Sequence, residues 1–246
     1  FFKAPLVEYA IQYLQATRHV HDAFLIYSDI DQYWNASIVS KIMHTMQAQN
    51  ASLAIKHTGT RHLERQYTKG IVYARICNHY HPGVRWRSGH EEASVGPGMR
   101  VDDDASYQYK GGWMMIRLGP NERRADDGKN APQPNSGILR FVRAWVAWIA
   151  SDYEVLLTDM DTSHMAKNSA DFVEHRHDQS VISMLLKCYR DADAEADTEA
   201  DTNTGSGAND GDANEDGRNE DLGRPRKMEL QFENDPEFDH IHLFSF

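Results

Sequence analysis

Apolar residues spaced for a helix, then a strand, then again a helix and a strand predict an α/β fold, in which helices pack on a sheet. Two further features support that class. The chain has 246 residues with 40% hydrophobic content, enough to bury a sizeable core. Further along, the chain repeats the theme, with a strand pattern near residue 110 and helical patterns near 140 and 180.

The elements follow in order. Leu6, Ala10, Ile11 and Leu14 recur at helical spacing over residues 5–18, after a Pro5 that suits a first helical turn. Asp22-Ala-Phe-Leu-Ile-Tyr-Ser-Asp-Ile-Asp31 is an apolar strand that ends in two carboxylates one residue apart. Residues i and i+2 of a strand point the same way, so Asp29 and Asp31 are placed to face one divalent cation, which could hold a diphosphate. Val39, Ile42, Met43 and Met46 mark a second helix, and Ser52-Leu-Ala-Ile55 a second strand. Gly and Pro at residues 81–83 and 96–98 bracket a loop, after which Tyr107–Arg117 reads as a strand. Gly111 and Gly112 inside it signal a bulge, or a group pressing close to the backbone.

A polar loop at 119–134 leads to a helix after Ser136, with Ile138, Val142, Trp145 and Ile149 on one buried face. Val155-Leu-Leu-Thr-Asp-Met-Asp161 is a second apolar run ending in spaced carboxylates. It resembles the first motif of haloacid-dehalogenase-type phosphatases, but that motif opens its domain, and too little chain follows here to complete one. Phe172–Lys187 is dense in polar chemistry and then amphipathic: Ile182, Leu185, Leu186 and Tyr189 define a helix face, with Asp178 or His177 near the N-cap. A helix start favours anions, and Arg176 adds positive charge there, so a phosphate leaving group would be stabilised. Asp178 and Gln179 could orient a sugar.

Composition sets limits on partners. Residues 191–221 hold twelve acids against one base, Arg218, so this segment carries the whole net charge of −11 and the remainder is balanced. The balanced part offers no positive field for nucleic acid. The segment 191–226 is poor in large apolar residues and reads as an acidic disordered insertion between a domain at 1–190 and a C-terminal segment, 227–246, that returns to it. Asp212, Asn214, Asp216 and Gly217 match the start of a calcium loop, but Gly223 stands where a bidentate Glu is needed, so a solvated linker is the reading. No apolar run approaches the roughly 20 residues of a membrane helix. Cys77 and Cys188 fit either one bridge or two buried thiols. The chain opens on Phe1-Phe2 without a Met, leaving localisation open, and the sequons Asn35-Ala-Ser37 and Asn50-Ala-Ser52 lean towards a secretory lumen such as the Golgi.

Taken in order, Phe2-Lys-Ala-Pro5 before a helix, Leu25-Ile-Tyr-Ser-Asp-Ile-Asp31, Glu64-Arg-Gln-Tyr-Thr-Lys-Gly70 and Glu174-His-Arg-His-Asp-Gln-Ser180 resemble landmarks of poorly characterised nucleotide-diphospho-sugar transferases. The resemblance spans residues 2–190. It implies a GT-A-like, Rossmann-type mixed sheet flanked by helices. It also implies a Mn²⁺ or Mg²⁺ ion and transfer of a hexose from a nucleotide-diphosphate sugar to an acceptor hydroxyl. In that family a nucleotide-binding strand and helix precede the Lys-x-Pro landmark, so the sheet is expected to lack its first strand.

Carried over by residue, Asp29 and Asp31 would bind metal and diphosphate, and Lys3, Lys69 and Arg176 would lie near the donor. His177, Asp178 and Gln179 would line the sugar site, and Gly111 and Gly112 would let the sugar approach the sheet. His240 or His242 would supply a third metal ligand. The rival readings are an inactive relic of such a transferase, or a metal-binding module without transfer activity. The module reading rests on the pairs His19/His21, His79/His81, His175/His177 and His240/His242.

Overall fold

The computed structural model describes residues 3–16, 23–30, 35–58, 63–80, 107–118, 136–189, 226–230 and 240–246. Within them, α1 (Lys3–Ala16), β1 (Ala23–Ser28), α2 (Ala36–Ala48), β2 (Leu53–His57), α3 (Glu64–Tyr67) and α4 (Gly70–Tyr80) form the first half. β3 (Tyr109–Leu118), α5 (Ser136–Ser151), α6 (Tyr153–Leu157), α7 (His177–Cys188), β4 (Arg226–Leu230) and β5 (Ile241–Ser245) follow.

The five strands form one sheet in the order β1-β3-β2-β5-β4, and every neighbouring pair is antiparallel. The expected Rossmann-type mixed sheet is therefore corrected. β1 and β2 do run in the same direction around α2, but β3 is inserted between them with the opposite sense and takes up the hydrogen bonds that a parallel pair would share.

Helices cover both faces. On one, Ile38, Ile42 and Met46 of α2 pack on Ala54, Trp113, Met115, Ile241 and Leu243. On the other, α1, α4, α5, α6 and α7 bury Ile11, Ile76, Trp145, Leu156 and Leu185 against Ile55, Met114, Ile116 and Phe244. Neighbouring strand residues thus point into different cores, which is why β2 and most of β3 are buried without a polar alternation. The predicted face of α5 is the buried one, with Ile138, Val142, Trp145 and Ile149 all inside. In α1 the buried residues are Ala4, Val7 and Ile11, and Leu6, expected inside, is exposed beside Tyr9 and Tyr13.

The apolar run at 155–157 is the short helix α6, whose Val155, Leu156 and Leu157 all reach the core from a single turn. One other expectation changes. The N-cap of α7 is Arg176, whose side chain makes no capping bond, so neither Asp178 nor His177 caps it. Cys77 of α4 and Cys188 of α7 are joined by a disulfide. The acidic insertion up to residue 225, including the calcium-loop match, lies outside the described residues, and its last position, Arg226, opens β4. Beyond it, β4 and β5 return to the sheet on the free side of β2.

Candidate active site

The site grows from the end of β1. The backbone N–H of Asp29 donates to the Gly112 carbonyl (2.8 Å), extending the ladder by one residue past Ser28 and fixing where the carboxylate stands. Tyr27, two residues earlier, donates its hydroxyl to Asp29 Oδ1 (2.7 Å). Burial, that bond and the charges of Asp29 and Asp178 push the phenol pKa up and keep it a donor.

Asp29 Oδ2 accepts from Lys3 Nζ at 3.2 Å, and the same ammonium lies 3.4 Å from Asp178 Oδ2. One positive centre therefore joins the strand end, the start of α1 and the first turn of α7. The Asp29 and Asp178 side chains remain 35% and 19% exposed, so the pair is open to solvent from one side.

The glycines of β3 belong to this arrangement. The register shifts between Ile55, opposite Met114, and His57, opposite Tyr109, so β3 carries the expected bulge across the glycines. A Cβ on Gly112 would stand 2.8 Å from Asp29 Oδ2, a distance that real Cβ atoms do not show. Gly112 is thus the empty side over which the carboxylate lies. Gly111 differs: its Cβ would meet Gln179 of α7 at an ordinary 3.7 Å.

The other side of the α7 start carries a second polar group. His177 has a φ of 41°, in the left-handed region that costs a non-glycine residue energy, and its Nε2 lies 3.2 Å from Asp159 Oδ1. His175 Nε2 must donate to the Leu156 carbonyl (2.6 Å), which leaves Nδ1 bare of hydrogen and without a hydrogen-bond partner among the described residues. Burial lowers its pKa to about 4, so the ring stays neutral. Arg176 stacks over the Tyr67 ring at 4.5 Å and reaches Glu174 at 3.4 Å. Gln179 donates to Gln108 Oε1 at 2.7 Å.

The remaining candidates are not brought to this place. Lys69 is buried and donates to the carbonyls of Thr158 and Met160, so it bolts down the turn that carries Asp159. Burial lowers its pKa against the pull of the Asp159 and Asp161 carboxylates. His242 pairs with Ile55, which pairs with Met114, which pairs with Tyr27. It thus lies three strand spacings from β1, roughly 14 Å, too far to share a cation with Asp29. Its ring instead meets the Tyr109 and Tyr107 hydroxyls (3.0 and 3.2 Å) and stacks near His57, whose ring also contacts that of His240. Asp31, His19, His21 and His81 lie outside the described residues.

Three residues to which the sequence assigned no role of their own take part. Tyr27 looked like any apolar strand residue. Asp159 lay in the second carboxylate run, the one signal that could have found it. Glu64, fully buried, accepts from Thr68, Gln108, Ser183 and Lys187 and ties α3, β3 and α7 together. Comparison of the chain with protein-family models, with curated proteins and with solved structures found no match, so the reading of this site rests on its own geometry.

Proposed function

We propose that this chain is a metal-dependent glycosyltransferase, of GT-A-like design, that moves a hexose from a nucleotide-diphosphate sugar to an acceptor hydroxyl. The observation that carries the reading is the Lys3 ammonium held between Asp29 and Asp178. Two carboxylates from distant parts of the sequence already converge on one cationic centre, beside a strand residue whose missing side chain leaves room.

The donor set suits a hard ion. Mg²⁺, with Mn²⁺ similar in its preference for oxygen, is usually held by one or two carboxylates and completes its shell with water and substrate phosphates. Among the described residues no group of three or more His, Cys, Asp or Glu side chains is arranged to hold a metal, and the proposal assigns the ion to Asp29 and Asp178, with Asp31 two residues beyond Asp29 in the sequence. When bound, the ion would offset the charge that builds on the diphosphate as the glycosidic bond breaks.

The chain's own groups supply the rest. Lys3, displaced from between the carboxylates, is within reach to pair with a phosphate oxygen. Arg176 and the start of α7 favour an anion at that end of the helix. His177, steadied by Asp159, and Gln179, steadied by Gln108, offer hydrogen bonds to sugar hydroxyls. Asp178, which the resemblance assigns to the lining of the sugar site, acts here with Asp29 as a charge on the cation's side. The metal-module reading has less support: of its paired histidines, His242 packs against Tyr109 in the interior and His175 donates to the Leu156 carbonyl.

Titration calorimetry with UDP and with GDP, each with Mn²⁺ present, tests the proposal. One of the two should bind to the wild type, and binding should be lost in Asp29→Asn. Absence of binding by both, or binding indifferent to Asp29→Asn, removes the transferase reading.

A further inference from the structure

We propose that Asn50 carries an N-linked glycan, added from a lipid-linked oligosaccharide diphosphate while the chain is still unfolded. The inference stands apart from the transferase reading and starts from the turn between α2 and β2. Asn50-Ala-Ser52 is an acceptor sequence. Asn50 is exposed and sits at φ 49°, in the left-handed region that asparagine tolerates better than most residues. Its side-chain oxygen faces inward and accepts from Arg117 Nη1 at 3.3 Å, and its backbone carbonyl accepts from Ser245 Oγ at 3.2 Å. Its Nδ2 makes no hydrogen bond among the described residues. The transfer replaces one Nδ2 hydrogen only: the Nδ2–C1 bond forms, the C1–O bond to the lipid diphosphate breaks with its electron pair leaving on that diphosphate, and the amide proton passes to a base of the transferring enzyme. The Arg117 contact to Oδ1 survives.

Timing favours the reaction. In the folded protein Ala51 is buried and the Ser52 N–H donates to the Phe244 carbonyl, so the acceptor sequence is fixed in place by β5. β5 lies about 190 residues further on, and during synthesis from the N-terminus Asn50 is presented long before its covering strand exists. The Cys77–Cys188 disulfide is an independent pointer, because such bonds form and persist where folding is oxidising, in the compartments that also glycosylate.

Placement separates the two sequons. β1 and β2 run the same way, β1 ends at Ser28 just before Asp29 and β2 begins after Asn50, so a glycan on Asn50 stands at the sheet end away from the candidate site. Asn35 follows Asp29 by six residues, and its Oδ1 caps α2 through the Ser37 N–H and hydroxyl.

The test reads site occupancy by peptide mass spectrometry, both in the protein isolated from the cells that make it and in the full chain secreted by a eukaryotic host. The expected result is a glycopeptide at Asn50 together with a Cys77–Cys188 crosslinked peptide, and in the host a band that shifts on enzymatic deglycosylation in Asn35→Gln but has lost the Asn50 glycopeptide in Asn50→Gln and Ser52→Ala. Occupancy is read on the wild type, so the result does not depend on a variant folding. Unmodified Asn50 in disulfide-bonded protein, modification at Asn35 alone, or free thiols at Cys77 and Cys188 overturns the proposal.

Discussion

At the scale of single residues, the candidate site depends on a hydrogen atom where other residues carry a methyl group. Gly112→Ala places a Cβ 2.8 Å from Asp29 Oδ2, and the carboxylate has to move. Because Asp29 is bonded to Tyr27 and Lys3, that shift should weaken Mn²⁺-dependent nucleotide binding by about tenfold or more, a change of about 1.4 kcal/mol. Calorimetry on the variant checks this, and unchanged affinity would mean that nothing binds beside Asp29.

Three imidazoles make a second claim at this scale. His57, His175 and His242 are buried, and burial lowers their pKa values to about 3, 4 and 2 from an unfolded value of 6.5. Between those values and 6.5 the unfolded chain takes up protons that the folded one refuses. Their contribution is intact above about pH 6.5 and is lost as the pH falls below it, by up to ~1.4 kcal/mol per pH unit for each ring. Urea unfolding at a series of pH values should show stability falling from pH 7 towards 4.5, with a shallower fall in His242→Gln. An equal slope in the two proteins would show that His242 is not held neutral by the fold.

At the scale of elements, α4 and α7 are the pair on which the site's second half rests. Their packing is reinforced by the Cys77–Cys188 bond, which closes 111 residues of chain, while Lys187 of α7 donates to Glu64 of α3 at 2.8 Å. On a chain-entropy account a crosslink of that span stabilises by about 4–5 kcal/mol. The Cys77→Ala, Cys188→Ala double variant should therefore unfold at clearly lower urea concentration than the oxidised wild type, with the m-value reporting any change in the unfolded state. Coincident midpoints would assign the crosslink no role in stability. The same elements show what a sequence discloses. Asp29 and the α7 start could be read because each borders an apolar pattern, the one at its end and the other at its beginning, and such patterns are local. Glu64 could not: a charged residue within a polar stretch gives no sign that Thr68, Gln108, Ser183 and Lys187 will surround it, since three of the four lie 40 or more residues away.

For the whole molecule, strand direction and order are the features that local pattern leaves open. Helix, strand, helix, strand was legible up to β2, but the place of β3 between β1 and β2 is decided by pairings across 52 to 95 residues. The same holds for the C-terminal strand. β5 is an interior strand, bonded to β2 on one side and β4 on the other, and it gives Ile241 and Leu243 to one core and Phe244 to the other. Phe246 then packs against the start of α5, where a Cβ on Gly137 would meet its backbone carbon at 2.8 Å. A chain cut at residue 190 would lose these side chains and leave the whole of β2 as an open edge above an unfilled core. Each fully buried aliphatic or aromatic side chain removed costs about 1.5–3 kcal/mol of transfer free energy, and the loss of Ile241, Leu243 and Phe244, with half-buried Phe246 adding less, approaches the 5–15 kcal/mol by which domains are stable. The fragment 1–190 should therefore show no cooperative urea transition, bind a hydrophobic dye, and regain cooperative unfolding when residues 226–246 are supplied in the same chain through a short flexible linker. A fragment 1–190 that unfolds cooperatively on its own would show that β5 decorates the sheet instead of completing it.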